Sequence, residues 1–242
     1  MSVTQRLSIQ WGQSPSSEPT DTLVITSPEG HFVDVRVLKD HEPHDKFPIE
    51  WAFCGRTEQV GDGKVNYSHD IDSRQLQGES VDPDVGSVET LANGDEREEG
   101  EMTNPATGKV ESYVEVWRPL DPNKEDRTPL PKSLVSDINV SVLATVDGQK
   151  MNGRVVRVGR WIQGILEFDD DNDKAGNIVD RLAIVRAKAT GDIWSKEVSI
   201  GSHSDKVPVS DLEGRVLGDT FIYGGIEWAV IEHRRSRTDS IY

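Results

Sequence analysis

The strand-like stretch from Trp161 to Phe168 holds the side chains best suited to contact a small ligand. Its residues alternate between two faces, because successive side chains of a strand point to opposite sides. Trp161, Gln163 and Ile165 share one face, where one amide stands between two apolar side chains. An apolar pocket with one orienting polar group is typical of small-ligand sites. These three residues are therefore the predicted ligand contacts, and the alternative is that Gln163 bonds backbone groups in a packed core or faces the surface.

An acidic run after this strand has part of the spacing of a calcium-binding loop. Its ligand positions one, three, five and twelve would be filled by Asp169, Asp171, Asp173 and Asp180. The sixth position of such a loop needs Gly for a sharp turn, whereas this chain has Lys174 there. The six histidines lack the close spacing of zinc ligands. We therefore predict an acidic hairpin tip, with no metal and no cofactor.

Local catalytic motifs are missing from the sequence. It contains neither a Gly-rich phosphate-binding loop nor a G-x-S-x-G nucleophile turn. A Ser–His–Asp set can be assembled from distant residues, so an enzyme with a dispersed site stays a minor alternative. The prediction is a protein without enzymatic activity, for which no catalytic residues are assigned.

Negative charge is concentrated in the first half of the chain. The 242 residues have a formal net charge of -16. Residues 1–128 hold 12 Lys and Arg against 26 Asp and Glu, and residues 129–242 hold 15 against 17, which gives -14 and -2. Nucleic acids and anionic membrane surfaces select clustered basic residues, so neither is an expected partner. The acidic half favours a basic protein partner, although acidic loops also serve solubility alone.

The single cysteine and the amino terminus indicate the compartment. Cys54 has no second cysteine with which to form a disulfide, and disulfide frameworks are typical of secreted proteins. The first ten residues lack the apolar run of a signal peptide. No stretch approaches the roughly 20 apolar residues of a membrane-spanning helix. The prediction is a soluble cytoplasmic protein without membrane insertion.

Alternation of apolar and polar residues with a period of two dominates the chain. Val33, Val35 and Val37 alternate with Asp34 and Arg36, as in a strand with one buried face. The six tryptophans fall three to each half, each within a strand-like run. We predict an all-β fold of two antiparallel barrels in tandem, since closure removes exposed sheet edges.

The proposed barrels divide the chain near its middle. Residues 1–128 are predicted as an acidic N-terminal β-barrel domain and residues 129–242 as a C-terminal β-barrel domain. The stretch from Pro119 to Pro131 contains four prolines and is predicted as a stiff connector.

Residues 78–101 form the most acidic segment. They include nine acidic residues and one basic residue, Arg97. Such a segment has too little apolar surface to order itself by burial. It is predicted as a long loop, or as a weakly paired strand such as Gly86 to Leu91, that decorates the mouth of the first barrel.

Four segments match one known family in sequence and in order along the chain. They run from Phe47 to Gly55, from Trp117 to Asp126, from Gly159 to Leu166 and from Gly225 to Glu232. With these segments the chain resembles the fungal HRI protein family, named for interaction with a casein-kinase-1-type kinase and unrelated to the haem-regulated kinase. The third segment is the most specific, and residues 61–109 carry no match.

The resemblance implies two lipocalin-like β-barrels in one chain. It also implies a cytoplasmic protein of unsettled activity, with the nucleus as a further candidate location. A casein-kinase-1-type kinase and the translocation machinery of the endoplasmic reticulum are the partners that it implies. It implies no catalytic residue.

Two functional hypotheses result. The leading one is a non-enzymatic interaction protein whose acidic loops and strand edges contact protein partners. The alternative is an intracellular carrier of a small hydrophobic ligand, held in the second barrel around Trp161. The volume inside that barrel discriminates between them, because a ligand site of this kind has roughly 300 Å3 or more.

Overall fold

The computed structural model describes residues 1–61, 63–130, 138–168, 176–210 and 212–235. The strands up to residue 119 are β1 (Ser2–Trp11), β2 (Thr20–Thr26), β3 (His31–Leu38), β4 (Ile49–Gly61), β5 (Lys64–Tyr67), β6 (Ile71–Asp72), β7 (Asp84–Thr90), β8 (Glu96–Asn104) and β9 (Lys109–Pro119). The later strands are β10 (Val140–Thr145), β11 (Met151–Val158), β12 (Trp161–Phe168), β13 (Leu182–Thr190), β14 (Ile193–Ile200), β15 (Thr220–Tyr223) and β16 (Ile226–Arg234). The helical elements are α1 (Ser73–Leu76), α2 (Ile178–Arg181) and a 3-10 turn (Ser204–Lys206). None of the described helices has the length and apolar character needed to cross a membrane.

The first nine strands form one antiparallel sheet that closes on itself. Its order is β3-β2-β1-β9-β8-β7-β5-β4-β6, and β3 also pairs with β4. This last pairing closes an eight-stranded barrel, with the two-residue strand β6 attached to β4. A barrel of about eight strands can fill with side chains or hold one small ligand.

The last seven strands form a second antiparallel sheet, in the order β14-β13-β12-β11-β10-β16-β15. In the described part of the chain, β14 and β15 each pair with one neighbouring strand. The prediction of an all-β fold of two antiparallel barrels in tandem is confirmed in its class and in the closed first barrel. Among the described residues, the second unit is an antiparallel sheet with two edge strands, β14 and β15.

Strands β2 and β3 give the barrel an apolar outer face. On β3, Val33 and Val35 point outward, whereas Asp34 and Arg36 line the interior. The outward side chains pack against β11 and β12 of the second sheet. We call this packed cluster the inter-sheet core, and its buried members include Leu23, Ile25, Val33, Val35, Val142, Val156, Trp161 and Ile165.

The inter-sheet core joins the two predicted domains. The first sheet ends at Pro119 and the second begins at Val140, so each sheet is formed by its own stretch of chain. Their apolar faces nevertheless bury one another, and separation would expose both faces to water. The boundary between 1–128 and 129–242 stays a prediction. The predicted connector is described up to residue 130 and contains a β-bridge between Leu120 and Pro129.

The acidic segment 78–101 is part of the barrel wall. It contains β7 and the first part of β8, and these strands pair with each other in antiparallel register. The prediction of a strand near residues 86–91 is confirmed, and the prediction of a decoration at the barrel mouth is wrong. Glu96 and Glu98 of β8 line the barrel interior. Their strand is ordered by its pairing with β7 and β9.

Candidate functional site

The three predicted ligand contacts lie in the inter-sheet core. Trp161, Gln163 and Ile165 of β12 are all fully buried. The Gln163 side-chain amide donates hydrogen bonds to the carbonyl oxygens of Leu23, at 3.0 Å, and Val33, at 2.9 Å. This is the packed-core alternative that the sequence left open for Gln163. Ligand binding at these residues stays a prediction.

A buried arginine completes this polar contact between the sheets. The Nε of Arg186, on β13, donates to Gln163 Oε1 at 2.7 Å. Its Nη1 donates to Asp21 Oδ2 at 3.0 Å, and its Nη2 donates to the Val35 carbonyl at 2.8 Å. Burial lowers the pKa of Arg186 to about 10, although Asp21 opposes the shift. Arg186 therefore stays charged at neutral pH and fixes the second sheet on the barrel.

A cavity of about 210 Å3 lies inside the first barrel. We call it the barrel cavity. Its charged lining side chains are Asp34, Arg36, Asp84, Glu96, Glu98 and Glu115. Its apolar and aromatic lining includes Val24, Phe32, Phe53, Tyr67, Met102 and Trp117. The volume is below the roughly 300 Å3 typical of drug-sized ligands, so the cavity has room for a smaller molecule.

One end of the barrel cavity reaches the protein surface. Gln59, which lines this end, is exposed, and Ser2 and Glu96 nearby are half-buried. At the opposite end, α1 covers Trp51, whose indole N–H donates to Asp72 at 3.0 Å. The end lined by Ser2 and Gln59 is therefore the entrance that the structure offers.

Two arginines in the barrel are matched by carboxylates. Arg36 donates through Nε and Nη2 to Asp34 Oδ2, at 3.0 and 2.9 Å, and lies 3.7 Å from Glu115. Arg6 donates to Glu115 at 2.5 Å and to Glu18 at 2.9 Å. A buried ion is costly unless its partners replace water. Each guanidinium is therefore already engaged by carboxylate oxygens.

Glu98 differs from these carboxylates, because the described residues give it no cationic partner at ion-pair distance. It accepts a hydrogen bond from the Tyr113 hydroxyl at 3.1 Å. Burial and the carboxylates of Glu115 and Asp84 raise the pKa of Glu98 to about 8. A Cβ atom at Gly86 would stand 2.4 Å from Glu98 Oε1, so glycine is required for this approach. At neutral pH Glu98 is mostly a protonated acid beside the cavity.

Asp84 of the cavity wall has a cationic neighbour. His69 lies between two carboxylates, with Nδ1 2.6 Å from Asp72 and Nε2 3.4 Å from Asp84. Desolvation lowers the pKa of His69, but these hydrogen bonds outweigh it and raise the pKa to about 9. The imidazolium stacks on Phe53 with ring centroids 4.4 Å apart. His69 therefore places a positive charge beside the Asp84 side chain on the cavity wall.

Two lining residues have a buried polar atom without a partner among the described residues. They are Asp34, through Oδ1, and Trp117, through Nε1. Asp34 is 2% exposed and Trp117 is 7% exposed. An unsatisfied buried donor or acceptor costs about 1–3 kcal/mol. Both atoms belong to residues of the cavity wall, and each has almost no accessible surface of its own.

A separate group of side chains has the closeness of possible metal ligands. Among the described residues, Glu29, His31 and Glu232 bring possible ligand atoms within 4.8 Å of one another. Arg154 lies 2.7 Å from His31 Nδ1 and donates to it, which leaves the ring proton on Nε2. Burial and the nearby guanidinium of Arg154 lower the pKa of His31 to about 4. Because the Nδ1 lone pair accepts from Arg154 and Nε2 carries the ring proton, the histidine is poorly suited to bind a metal.

The calcium-like spacing falls largely outside the described residues. Asp169, Asp171 and Asp173 belong to the stretch 169–175, which the structure does not describe. Asp180, the proposed twelfth ligand, lies in α2 and accepts a hydrogen bond from the Ser202 hydroxyl at 2.5 Å. The absence of a metal site there stays a prediction.

Sequence reasoning missed the cavity residues because charged strands resemble solvated loops. A signal was present in the spacing of Glu96, Glu98 and Met102 on β8, which all fall on one face at a period of two. Glu115 and Trp117 have the same spacing on β9. Identifying this face as an interior requires closure of the barrel, which brings these strands round to β3.

Comparison with known proteins agrees with this architecture. The family model described as Protein HRI1 matches residues 2–232. Protein HRI1 of Candida glabrata is 30% identical over 95% of this chain and 98% of its own length. Protein HRI1 of Saccharomyces cerevisiae strain YJM789 is 32% identical over 95% of this chain and 97% of its own length.

A solved structure shares the fold over nearly the whole chain. The crystal structure of the uncharacterized protein YLR301w from Saccharomyces cerevisiae has a TM-score of 0.83 and 26% sequence identity. The likeness covers 96% of this chain and 98% of that one. Together with the family match, it confirms the resemblance that the four segments indicated. The chain belongs to the Protein HRI1 family.

Proposed function

We propose that this protein binds a small molecule inside the barrel cavity. The observation that carries the proposal is the cavity itself, about 210 Å3 inside the barrel, with aromatic side chains, five carboxyl groups and Arg36 on its wall. Two residues of the wall, Asp34 and Trp117, are among those with a buried polar atom that has no partner in the described part of the chain, whereas buried polar groups are normally satisfied. The proposed activity is binding without catalysis.

The proposed site differs in place and in chemistry from the carrier expected from the sequence. That carrier would hold a hydrophobic ligand around Trp161, where the inter-sheet core is closely packed. The barrel cavity combines aromatic walls with six ionisable side chains, which suits a polar ligand with an apolar part.

A screen of small fragments by ligand-observed NMR tests the proposal. Val24→Phe puts a ring into the cavity, and Val110→Phe makes the same change at an exposed position of β9. Fragments that bind the unmodified chain and Val110→Phe should lose their binding to Val24→Phe. If no fragment depends on Val24 in this way, the proposal is overturned.

Protein binding is a second candidate function. In the described part of the chain, β15 has a free edge, and Ile222 on it is 67% exposed. Leu217, just before this strand, is also exposed. A sheet edge with apolar side chains can add an extended segment of a partner as a further strand. We propose a segment of the kinase or translocation-machinery partners that the family resemblance implies, met in the cytoplasm or the nucleus.

The second candidate is tested with the full chain and a purified casein-kinase-1-type kinase. Ile222→Asp places a charge at the β15 edge, and Ile193→Asp makes the same change on the other edge strand, β14. Retention of the kinase should be lost with Ile222→Asp and kept with Ile193→Asp. Equal retention by both variants would exclude the β15 edge as the contact.

A further inference from the structure

We infer that the ligand of the barrel cavity is a small organic cation, an ammonium group carried on a short apolar or aromatic body. This inference rests on the proposed function and adds the chemical class of the ligand. It depends on three features of the cavity: its excess of carboxyl groups, its free acceptor and its aromatic wall.

The charge balance of the wall selects against anions. Five carboxyl side chains and one guanidinium line the cavity, and that guanidinium, on Arg36, is held by Asp34 at 2.9 Å. Arg6, which is in the barrel but does not line the cavity, is held by Glu18 and Glu115. An anion would meet carboxylates without a free cation to compensate them, whereas a cation would reduce their repulsion.

The unfilled hydrogen-bonding positions match an ammonium group. Asp34 Oδ1 is a buried acceptor without a partner among the described residues. Glu98 has the Tyr113 hydroxyl as its hydrogen-bond partner and keeps further acceptor capacity. An ammonium group has three donors and no acceptor, so it can satisfy such oxygens without creating a new unsatisfied atom.

The rest of the wall suits an organic body. Phe32 stands edge-on to Phe53 and Tyr67, with centroid distances of 5.5 and 5.7 Å. Aromatic faces attract cations and pack against apolar groups. A bare metal ion is a poorer match, because the described group whose ligand atoms converge within 4.8 Å, that of Glu29, His31 and Glu232, lies elsewhere.

The ionisation of Glu98 should change when a cation binds, and this change can be measured as a released proton. The charged or titratable groups that face it from neighbouring strands are Arg36 of β3, Tyr67 of β5, Asp84 of β7, and Tyr113 and Glu115 of β9. With a pKa of about 8, Glu98 is mostly protonated at pH 7. A cation beside it favours the carboxylate, so binding should release a proton to the buffer.

The test is isothermal titration calorimetry of the full chain at pH 7 with benzylammonium, benzyl alcohol and benzoate. These probes are of similar size, each with a phenyl ring and one polar group, and they differ in charge. The variants are Glu98→Gln, Asp34→Asn and, as the control, Glu58→Gln, which removes an exposed carboxylate of β4. Circular dichroism first establishes that each variant is folded, and titration in two buffers of different ionisation enthalpy measures proton release.

Benzylammonium should bind the unmodified chain and Glu58→Gln equally, and at least tenfold more weakly to Glu98→Gln and Asp34→Asn. Benzyl alcohol should bind at least tenfold more weakly than benzylammonium. Proton release should accompany cation binding and vanish in Glu98→Gln. Equal binding of benzyl alcohol, tighter binding of benzoate, or no binding of benzylammonium would overturn the inference. The proposed function fails separately, if the fragment screen finds no compound that depends on Val24.

Discussion

The inter-sheet core and the barrel cavity lie on opposite faces of the same strands, β2 and β3, and they differ in the charge of the side chains that line them. In the core, Gln163 is bonded to backbone carbonyls of the barrel and to Arg186. In the cavity, Asp34 keeps one carboxylate oxygen without a partner among the described residues. The core also holds an unpartnered polar atom, Trp161 Nε1, so the feature that distinguishes the cavity is its five carboxyl groups beside open volume.

The two regions also differ in packing. Val33 and Val35 of β3 are fully buried against the second sheet. One residue away, Asp34 borders about 210 Å3 of open volume. Changes in the core should therefore cost stability, and changes in the cavity should alter ionisation and binding.

The largest effect is expected from Trp161→Ala. The ring is fully buried in the inter-sheet core, so its removal should lower the free energy of unfolding by about 3–5 kcal/mol. Trp194→Ala is the matched control, because Trp194 is half-buried on edge strand β14, and its cost should be roughly half or less. Urea unfolding followed by circular dichroism measures both. A cost below about 1 kcal/mol for Trp161→Ala would show that the core is loosely packed.

Arg186 and Arg127 both form an ion pair with Asp21, so they allow a buried arginine to be compared with a more exposed one. Arg186 is fully buried and Arg127 is 29% exposed at its side chain. Arg186→Ala leaves Gln163 and buried carbonyls without their donor, and should cost about 3 kcal/mol. Arg127→Ala should cost about 0–1 kcal/mol, because water screens that pair. Equal costs in urea unfolding would contradict the role given to Arg186.

The pH dependence of stability should report the ionisation of Glu98. Its pKa is raised from 4.5 to about 8 in the folded chain, so between these values the folded chain binds more protons than the unfolded chain. Stability therefore falls as pH rises through this window. Between pH 5.5 and 8.5 the unmodified chain and Glu58→Gln should lose on the order of 2 kcal/mol more than Glu98→Gln. Parallel losses in all three chains would show that Glu98 ionises normally.

The smallest effect concerns one added methylene. Val33→Leu overpacks the inter-sheet core and should cost about 1–3 kcal/mol. Val24→Leu extends into the cavity, where space is available, and should change stability by less than about 0.5 kcal/mol. Thermal unfolding of the two variants compares them directly. A larger cost for Val24→Leu would mean that the cavity is filled by side chains.

The sequence predicted the positions of the strands correctly, but it did not predict which of their faces are enclosed. Alternation of Val33 and Val35 with Asp34 and Arg36 correctly indicated a strand with one buried apolar face. It could not show that the polar face is also enclosed, because that depends on closure of the barrel through β3 and β4. The same limit made the acidic strand β8 resemble a solvated loop.

Contacts between distant residues were equally hidden. Gln163 was singled out from its place on β12, but its hydrogen-bond partners Leu23 and Val33 lie 140 and 130 residues away along the chain. Local spacing carries no information about such pairs. The side chains of Asp34 and Glu98 likewise line one cavity only because β3 and β8 become opposite walls of one barrel.

The most direct measurement is native mass spectrometry of the chain purified gently from its natural host, compared with its denatured mass. The barrel cavity predicts an excess mass of a small basic molecule that disappears on denaturation. The excess should persist in Val110→Phe and be absent from Val24→Phe. A bare chain mass for the unmodified protein, or an excess mass that Val24→Phe retains, would contradict a ligand site inside the barrel.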